Sequence, residues 1–250
     1  MQREIVIVTA AYGNSVVKAL GGQAELLSII AGAKADGVEI RRELFSDTEL
    51  DALPQLAEKI QQHGLFAVYS VPFALFISGG KLNPDAGQYF EEAQILGART
   101  IKFSLGEFEP GAALTPLKVL QASQPVKLVV DNDQSSECGI LSRINAFMFA
   151  AESLRLPLTM TFDMANWLWV DESPEAAARV LASSVSYIHV KAAVPHHYHY
   201  RAIALDDAEP HWLELLNNLP ADAPRGIEFP LEGRDLTAVT RHYVNLLREE

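Results

Sequence analysis

The chain has 250 residues, 49% hydrophobic and 21% charged, so it can bury a large core as one α/β domain and lacks the composition of a disordered segment. Its net charge of −12 argues against a nucleic-acid groove or an anionic membrane surface, since both need clustered lysine and arginine. The single cysteine, Cys138, excludes an internal disulfide framework and a CxxC metal knuckle. With no apolar run as long as a membrane span, we expect a cytoplasmic protein without nucleic-acid or membrane partners.

Strand and helix patterns alternate along the whole chain. The predicted strands are 5–9, 38–44, 65–73, 98–106, 126–133, 158–162, 186–194 and 227–231. The predicted helices are 16–30 with a glycine interruption, 47–62, 85–96, 115–122, 141–154, 174–184, 210–219 and 235–248. Eight alternating pairs imply parallel strands and predict one (β/α)8 TIM barrel over residues 1–250. An open doubly wound sheet is the weaker alternative, because TAAYGNS after the first strand is not a glycine-rich phosphate loop.

Polar residues close the last four predicted strands. In a parallel barrel the carboxyl ends of the strands form the active site, so these residues are the candidates. Asp131, Asp163, His189 and Glu228 give an oxygen-rich set with one nitrogen, which suits Mn²⁺ or Mg²⁺ and also accepts Co²⁺ or Zn²⁺. Each also has an ordinary structural explanation: Asp163 as a turn-former, His189 as a core histidine, Glu228 as a partner of Arg225.

Other polar residues at the same ends are candidate substrate contacts. Glu43, Lys102 and Lys191 follow from fold position alone, and a structural pairing of either lysine with Glu43 or Glu107 is equally ordinary. The segment AVPHHYHYRA carries His196, His197 and His199, for which a second metal site is conceivable. A solvated loop over the barrel mouth, with His197 facing substrate, is the favoured interpretation. Trp167 and Trp169 either stack on a sugar face or pack between helices, and packing is favoured for at least one.

Six phrases together resemble a known superfamily: GVEIRREL, EEAQILGARTIKFSLG, LVVDNDQ, TFDMANW, SYIHVK and RGIEFPL. In order and strand placement they are similar to the xylose isomerase-like TIM barrels, which include sugar isomerases, tagatose epimerase-like enzymes, inosose dehydratase and endonuclease IV. The resemblance implies a divalent metal held at the positions of Asp131, Asp163, His189 and Glu228. It also implies that Asn166 stands where relatives often carry a substrate-contacting histidine.

One position departs from this pattern. Relatives usually have Glu at the end of strand five, whereas VVDND places the shorter Asp131 there. Asp131 then binds the metal through water, pulls the ion off centre, or leaves the position to Asp133. Aspartate is nevertheless a competent oxygen ligand.

The resemblance implies a metal-dependent isomerase or epimerase of a small sugar, keto-sugar or sugar acid. The metal polarises a carbonyl, and two carboxylates, here Asp131 and Glu228, remove and return the proton on the neighbouring carbon. A dehydratase of a cyclic polyol or keto acid is the alternative on the same site, and a non-catalytic sugar-binding barrel is the alternative from another class. Apurinic endonuclease activity is disfavoured by the acidic charge. A homo-oligomer is expected from the resemblance alone.

Overall fold

The computed structural model describes residues 3–112, 114–136 and 138–250, and its centre is a closed barrel of eight parallel strands. The strands are β1 Ile5–Val8, β2 Gly37–Arg41, β3 Phe66–Ile77, β4 Ala98–Gly106, β5 Lys127–Asp131, β6 Thr159–Asp163, β7 Val185–Val190 and β8 Arg225–Ile227. Each pairs in parallel with its neighbours in chain order, and β8 pairs with β1 to close the ring. The predicted barrel is confirmed.

Helices lie between the strands along the chain. They are α1 Asn14–Leu20, α2 Leu27–Gly32, α3 Asp47–Leu50, α4 Leu53–Gln62, α5 Ala86–Ile95, α6 Thr115–Ala122, α7 Leu141–Ser153, α8 Pro174–Leu181, α9 His211–Leu216 and α10 Leu236–Glu249. Gly21, with φ +103°, ends α1 and gives the interruption expected in the first helical segment. No helix of the described ranges is long and apolar enough to cross a membrane.

Two apolar cores follow from the two-residue period of the strands. Val38 and Ile40 of β2 belong to the large core that the helices cover, because alternate side chains point outward from the barrel. Val6, Val68 and Tyr187 form a second, small cluster. The inward-facing side chains therefore change along the barrel axis, from this small apolar cluster to polar residues at the carboxyl ends of the strands.

Several predicted boundaries were wrong. The helical segment 47–62 is split into α3 and α4, β3 continues to Ile77, and β8 begins at Arg225, so that Glu228 follows the strand instead of lying within it. The predicted loop after β7 is an antiparallel hairpin, in which Ala192–His196 pairs with His199–Ile203. His197 makes its turn with φ +55°, a conformation that histidine adopts more readily than most residues.

A partly buried ion pair links the end of β2 to β3 and α5. Glu92 accepts from Arg42 Nε and Nη2 at 2.7 and 3.0 Å, and from the Tyr69 hydroxyl at 2.6 Å. Burial raises the pKa of Glu92, but these hydrogen bonds outweigh burial and hold the pKa below its usual value.

We expect Glu92→Gln to destabilise the protein by about 2 kcal/mol, because it weakens the hydrogen bonds to the partly exposed Arg42 guanidinium and removes its counter-ion. The folded pKa of Glu92 lies below its unfolded value, so its contribution is present above the unfolded pKa and is lost as pH falls through the folded one. Urea unfolding between pH 7 and 3 measures both effects. The exposed neighbour change Glu91→Gln is the control, and an equal pH dependence of stability in the wild type and Glu92→Gln would contradict the assignment.

Candidate active site

The carboxyl ends of β6, β7 and β8 bring three predicted ligand residues together. Donor atoms of Asp163, His189 and Glu228 all lie within 4.8 Å of one another, which makes them a possible metal site. His189 Nδ1 lies 3.0 Å from Glu228 Oε2 and 3.9 Å from Asp163 Oδ2. Asp163 and His189 are fully buried, so this cluster forms part of the barrel interior.

The two oxygens of Asp163 have different tasks. Oδ1 accepts the backbone N–H groups of Ala165 and Asn166, both at 2.9 Å, and so forms the turn that ends β6. Oδ2 faces Lys191 Nζ at 3.3 Å. Asn132 pairs its amide with the backbone of Asp163 in both directions, at 2.8 and 3.0 Å, and fixes the strand end. Asp163 is thus both a turn-former and a member of the polar cluster.

Asp131 does not join the cluster of Asp163, His189 and Glu228. Its Oδ2 pairs with the ammonium of Lys102, which projects from the adjacent strand β4 and also lies 3.8 Å from Glu39 Oε1. Oδ1 of Asp131 is buried and has no hydrogen-bond partner among the described residues. Asp133 does not take its place, because its Oδ1 accepts from Ser135 at 2.7 and 2.9 Å within a turn.

Glu39 of β2, which the sequence analysis did not select, is the fully buried centre of the site. Its Oε2 lies 2.7 Å from His189 Nε2 and accepts from the Tyr187 hydroxyl at 2.8 Å. The sequence does contain a signal for Glu39. It is an acid between Val38 and Ile40 in a buried strand, and because Val38 and Ile40 point outward, Glu39 points into the barrel. A search limited to residues that close strands does not find it.

Arg41, also absent from the predicted set, joins the second strand to Glu228. Its Nη1 donates to Glu228 Oε1 at 3.0 Å, and its Nε donates to Glu43 Oε1 at 2.8 Å. Gln23 holds the backbone of Arg41 through hydrogen bonds of 2.8 and 2.9 Å. Glu228 therefore pairs with Arg41 rather than with Arg225, whose Nη1 donates to the backbone oxygen of Leu247.

Lys191 lies among the oxygens of this site. Its Nζ is 3.3 Å from Asp163 Oδ2, 3.4 Å from Glu228 Oε2 and 3.1 Å from Asn166 Oδ1. Gln134 Nε2 also donates to Asn166 Oδ1, at 3.1 Å, and holds that amide in place. The alternative pairing of Lys191 with Glu43 or Glu107 is absent from the ion pairs of the described residues.

The charges shift the pKa values of the cluster in opposite directions. Burial raises the pKa of Glu39, but the charges of His189 and Lys102 outweigh it and lower the pKa to about 2. Burial opposes the imidazolium of His189, yet Glu39 and Glu228 raise its pKa to about 10. Burial and the nearby Glu228 carboxylate raise the pKa of Asp163 to about 7 against the effect of Lys191. At neutral pH the histidine is therefore a cation between two carboxylates.

A cavity of about 330 Å³ opens above the cluster at the barrel mouth. Lys191, Glu228 and Trp169 line it, and Trp169 packs against Tyr200 of the hairpin with ring centroids 5.5 Å apart. Trp167 is fully buried against Phe162, in agreement with a packing role for one tryptophan. His197 is exposed at the hairpin turn with its ring against His196, so it lies outside the buried cluster.

Comparison with known proteins gives similarity of structure without similarity of sequence. No family model matches the chain, and no curated protein of similar sequence is found. A xylose isomerase domain protein from Planctomyces limnophilus is similar over 99% of this chain and 96% of its own, at 15% identity and a TM-score of 0.68. The chain has the fold of the xylose isomerase-like TIM barrels. The resemblance in the sequence is confirmed at that level.

Two further neighbours with this fold have stated activities. An L-ribulose 3-epimerase matches all of this chain and 95% of its own, at 16% identity and a TM-score of 0.68. The probable 3-DHS dehydratase AsbF from Bacillus anthracis matches 98% of each chain, at 11% identity and a TM-score of 0.66. These identities establish the shared barrel, and the chemistry of this chain must be argued from its own site.

The donor set only partly fits the divalent ion that the resemblance in the sequence implies. Asp163, His189 and Glu228 are close enough to share an ion. The imidazole itself is compatible with an ion, because Nε2 faces Glu39 at 2.7 Å, a contact typical of a ligating histidine, and Nδ1 lies beside Asp163 and Glu228. The misfit lies in the cations beside the carboxylates. Lys191 and Arg41 already engage the carboxylates of Asp163 and Glu228. In this arrangement the chain's own cations satisfy the oxygens that a metal would use.

We expect His189 to stay an imidazolium through neutral pH in metal-free protein. Its folded pKa, about 10, lies above the ordinary value of 6.5, so its contribution to stability is present below pH 6.5 and is lost as pH rises through 10. Glu39→Gln should lower the His189 pKa by about one unit or more, because it removes one of two adjacent negative charges. Nitrogen-15 NMR titration of the imidazole measures this, with Glu43→Gln as the control. A His189 that titrates near 6.5 in both proteins would contradict the assignment.

Proposed function

We propose that the protein is an isomerase or epimerase of a small sugar, keto-sugar or sugar acid, and that it moves a proton on the carbon next to a carbonyl. The observation that supports this most directly is the position of Glu228. Its side chain is 16% exposed, it borders the mouth cavity, and it lies beside the cations Arg41, His189 and Lys191. A carboxylate next to several positive groups suits the removal of a proton from carbon, because the negative charge that develops on the substrate oxygen needs cations close by.

The proposed reaction has two proton transfers. Glu228 takes the proton from the substrate carbon, the C–H electron pair forms a carbon–carbon double bond, and the carbonyl π electrons move to oxygen to give an enediolate. Asp131, on the other side of the barrel interior, enters the step in its protonated form and gives that proton to the opposite face of the carbon for epimerisation, as the enediolate electrons re-form the carbonyl. For isomerisation the proton goes to the former carbonyl carbon, and the hydroxyl proton of the enediolate passes to the former carbonyl oxygen. Oδ1 of Asp131, which has no hydrogen-bond partner among the described residues, carries the transferred proton, while Lys102 holds Oδ2.

Substrate size and charge are consistent with this proposal. The mouth cavity of about 330 Å³ lies at the small end of the usual range for ligand sites. Trp169 gives the cavity an aromatic wall for the apolar face of a sugar ring. Arg41, Lys102 and Lys191 hydrogen-bond to carboxylates at this end of the barrel and give the site positive groups for hydroxyl and carboxylate oxygens, in a chain whose net charge is −12.

A dehydratase is the second candidate, because one neighbour of this fold is a probable 3-DHS dehydratase. The same enediolate expels a hydroxyl from the next carbon if an acid at the site protonates the leaving oxygen. A substrate that carries a leaving hydroxyl would then release water, whereas an epimerisation substrate would only exchange its proton.

Proton exchange in D₂O tests the proposal. Purified protein is incubated with a panel of aldoses, ketoses, sugar acids and cyclic polyketols, and deuterium uptake is followed by NMR and mass spectrometry. We expect uptake at a carbon next to a carbonyl for at least one member. Loss of water from the product would identify the dehydratase, and binding without exchange on any member would leave the non-catalytic barrel as the function.

Glu228→Gln should reduce the exchange rate by about 10²-fold or more, and Asp131→Asn should reduce conversion to product by a similar factor, since each removes one of the two proposed proton carriers. In Asp131→Asn, the rate of conversion to product should fall more than the rate at which the proton removed by Glu228 exchanges with solvent. Rates of exchange and of conversion are measured separately, with the surface change Glu91→Gln as the control. Equal, small effects of both variants on exchange and conversion would contradict these roles.

A further inference from the structure

Lys191 stands where the sequence analysis places a divalent ion. Its ammonium nitrogen lies 3.3 Å from Asp163 Oδ2 and 3.4 Å from Glu228 Oε2, two of the three side chains that could share a metal. We propose that the Lys191 ammonium is the electrophile of this site and replaces the divalent ion, so that the reaction proceeds without bound metal. The inference rests on the proposed function, because it names the group that stabilises the enediolate oxygen.

The position of Lys191 follows from the strand. Lys191 comes directly after β7, two residues beyond His189, so both side chains project to the same side of the strand. The lysine side chain extends past the imidazole and places Nζ between Asp163, which ends β6, and Glu228, which directly follows β8. Asn166 Oδ1 gives the third acceptor at 3.1 Å. An ammonium has three N–H donors and here has three oxygens to receive them.

Charge gives a second argument. A divalent ion bound to Asp163 and Glu228 would share these oxygens with the Lys191 ammonium and would lie near the guanidinium that pairs with Glu228. Like charges at such distances repel strongly in a buried site, where water screens them little. The ammonium therefore competes directly with the ion for the same carboxylates.

Lys191 is also accessible to substrate. It lines the 330 Å³ mouth cavity together with Glu228, and it lines a neighbouring cavity of about 480 Å³ between the turn after β6 and the hairpin. Its contacts to the two carboxylates, 3.3 and 3.4 Å, are longer than a relaxed N–H···O bond. A substrate carbonyl oxygen that enters from the mouth cavity can replace one of these long contacts and accept the hydrogen bond from Lys191 Nζ.

The role is electrostatic and involves no covalent bond to substrate. Nζ of Lys191 lies between the carboxylates of Asp163 and Glu228, at 3.3 and 3.4 Å, which favours the charged ammonium. An amine nucleophile must be uncharged, and lysines that form Schiff bases lie in apolar surroundings or beside another cation. When Glu228 removes the substrate proton, the negative charge develops on an oxygen beside Nζ, and the hydrogen bond strengthens in the transition state.

The experiment compares Lys191→Met with wild type after removal of metals by chelation, with metal content checked by mass spectrometry. Lys59→Met, an exposed change on α4, is the control. We expect stripped wild type and control to keep their exchange rate in D₂O, and stripped Lys191→Met to lose about 10²-fold or more, as for removal of one oxyanion donor. Electron paramagnetic resonance titration with Mn²⁺ is the second measurement, and Lys191→Met should bind Mn²⁺ about tenfold or more tightly than wild type, because the competing charge is gone.

The outcomes separate the two proposals. If chelation abolishes exchange in wild type, Mn²⁺ restores it, and Lys191→Met binds Mn²⁺ no more tightly, the inference is overturned and the proposed function stands. If borohydride traps a substrate on Lys191, the electrostatic role is overturned. If no sugar exchanges its proton with or without Mn²⁺, the proposed function fails, and the Mn²⁺ titration still decides whether Lys191 holds the ion's place. If Lys191→Met fails to fold, the exchange rate of metal-stripped wild type is the test. Retained exchange supports the inference, and lost exchange that Mn²⁺ restores overturns it.

Discussion

Every part of the site depends on the neutralisation of charge inside the barrel. An ion moved from water into a protein interior loses several kcal/mol of solvation, which only close and well-oriented partners return. Glu39 shows the constraint most clearly, since it is fully buried and lies within 4 Å of ionised groups of Arg41, Lys102 and His189. Removal of any partner leaves an uncompensated charge, so stability and site geometry are set by the same contacts.

The packing beneath these charged groups must leave room for the hydrogen bonds that neutralise Glu39. Gly226 of β8 faces the centre of the barrel, where a Cβ atom would lie 2.4 Å from the Tyr187 hydroxyl and 3.0 Å from His189 Cδ2. Only a residue without a side chain leaves room for the hydrogen bonds from Tyr187 and His189 to Glu39. The backbone of Gly226 needs no positive φ, so space rather than conformation requires glycine here.

The sequence allowed prediction of the barrel, and it allowed prediction of the convergence of Asp163, His189 and Glu228, because both follow from periodicity along single segments. The rule that parallel strands end at one face was enough to place three residues on β6, β7 and β8 together. The partner of Asp131 could not be predicted in this way. Its pairing with Lys102 depends on the register between β4 and β5, which one sequence does not reveal.

The role of Glu39 and the hairpin after β7 were not predicted, because both depend on contacts between segments that a single sequence does not reveal. Glu39 lies inside β2 rather than at its end, and its importance comes from His189, which is 150 positions away in the chain. The segment AVPHHYHYRA after β7, predicted as a loop over the barrel mouth, forms an antiparallel hairpin instead. Pro195 is tolerated because its strand pairs only with the second hairpin strand, so the missing N–H on its other side breaks no ladder.

A lysine in the place of a metal changes how the site distributes charge. A divalent ion concentrates two charges at one point and needs several anionic ligands, whereas this chain spreads its positive charge over Arg41, Lys102 and Lys191, each with its own carboxylate. An enediolate oxygen carries about one negative charge, and one ammonium in a poorly screened cavity is matched to it. The shorter Asp131 is consistent with this arrangement, because a carboxylate that pairs with Lys102 on the next strand has no need to reach a central ion.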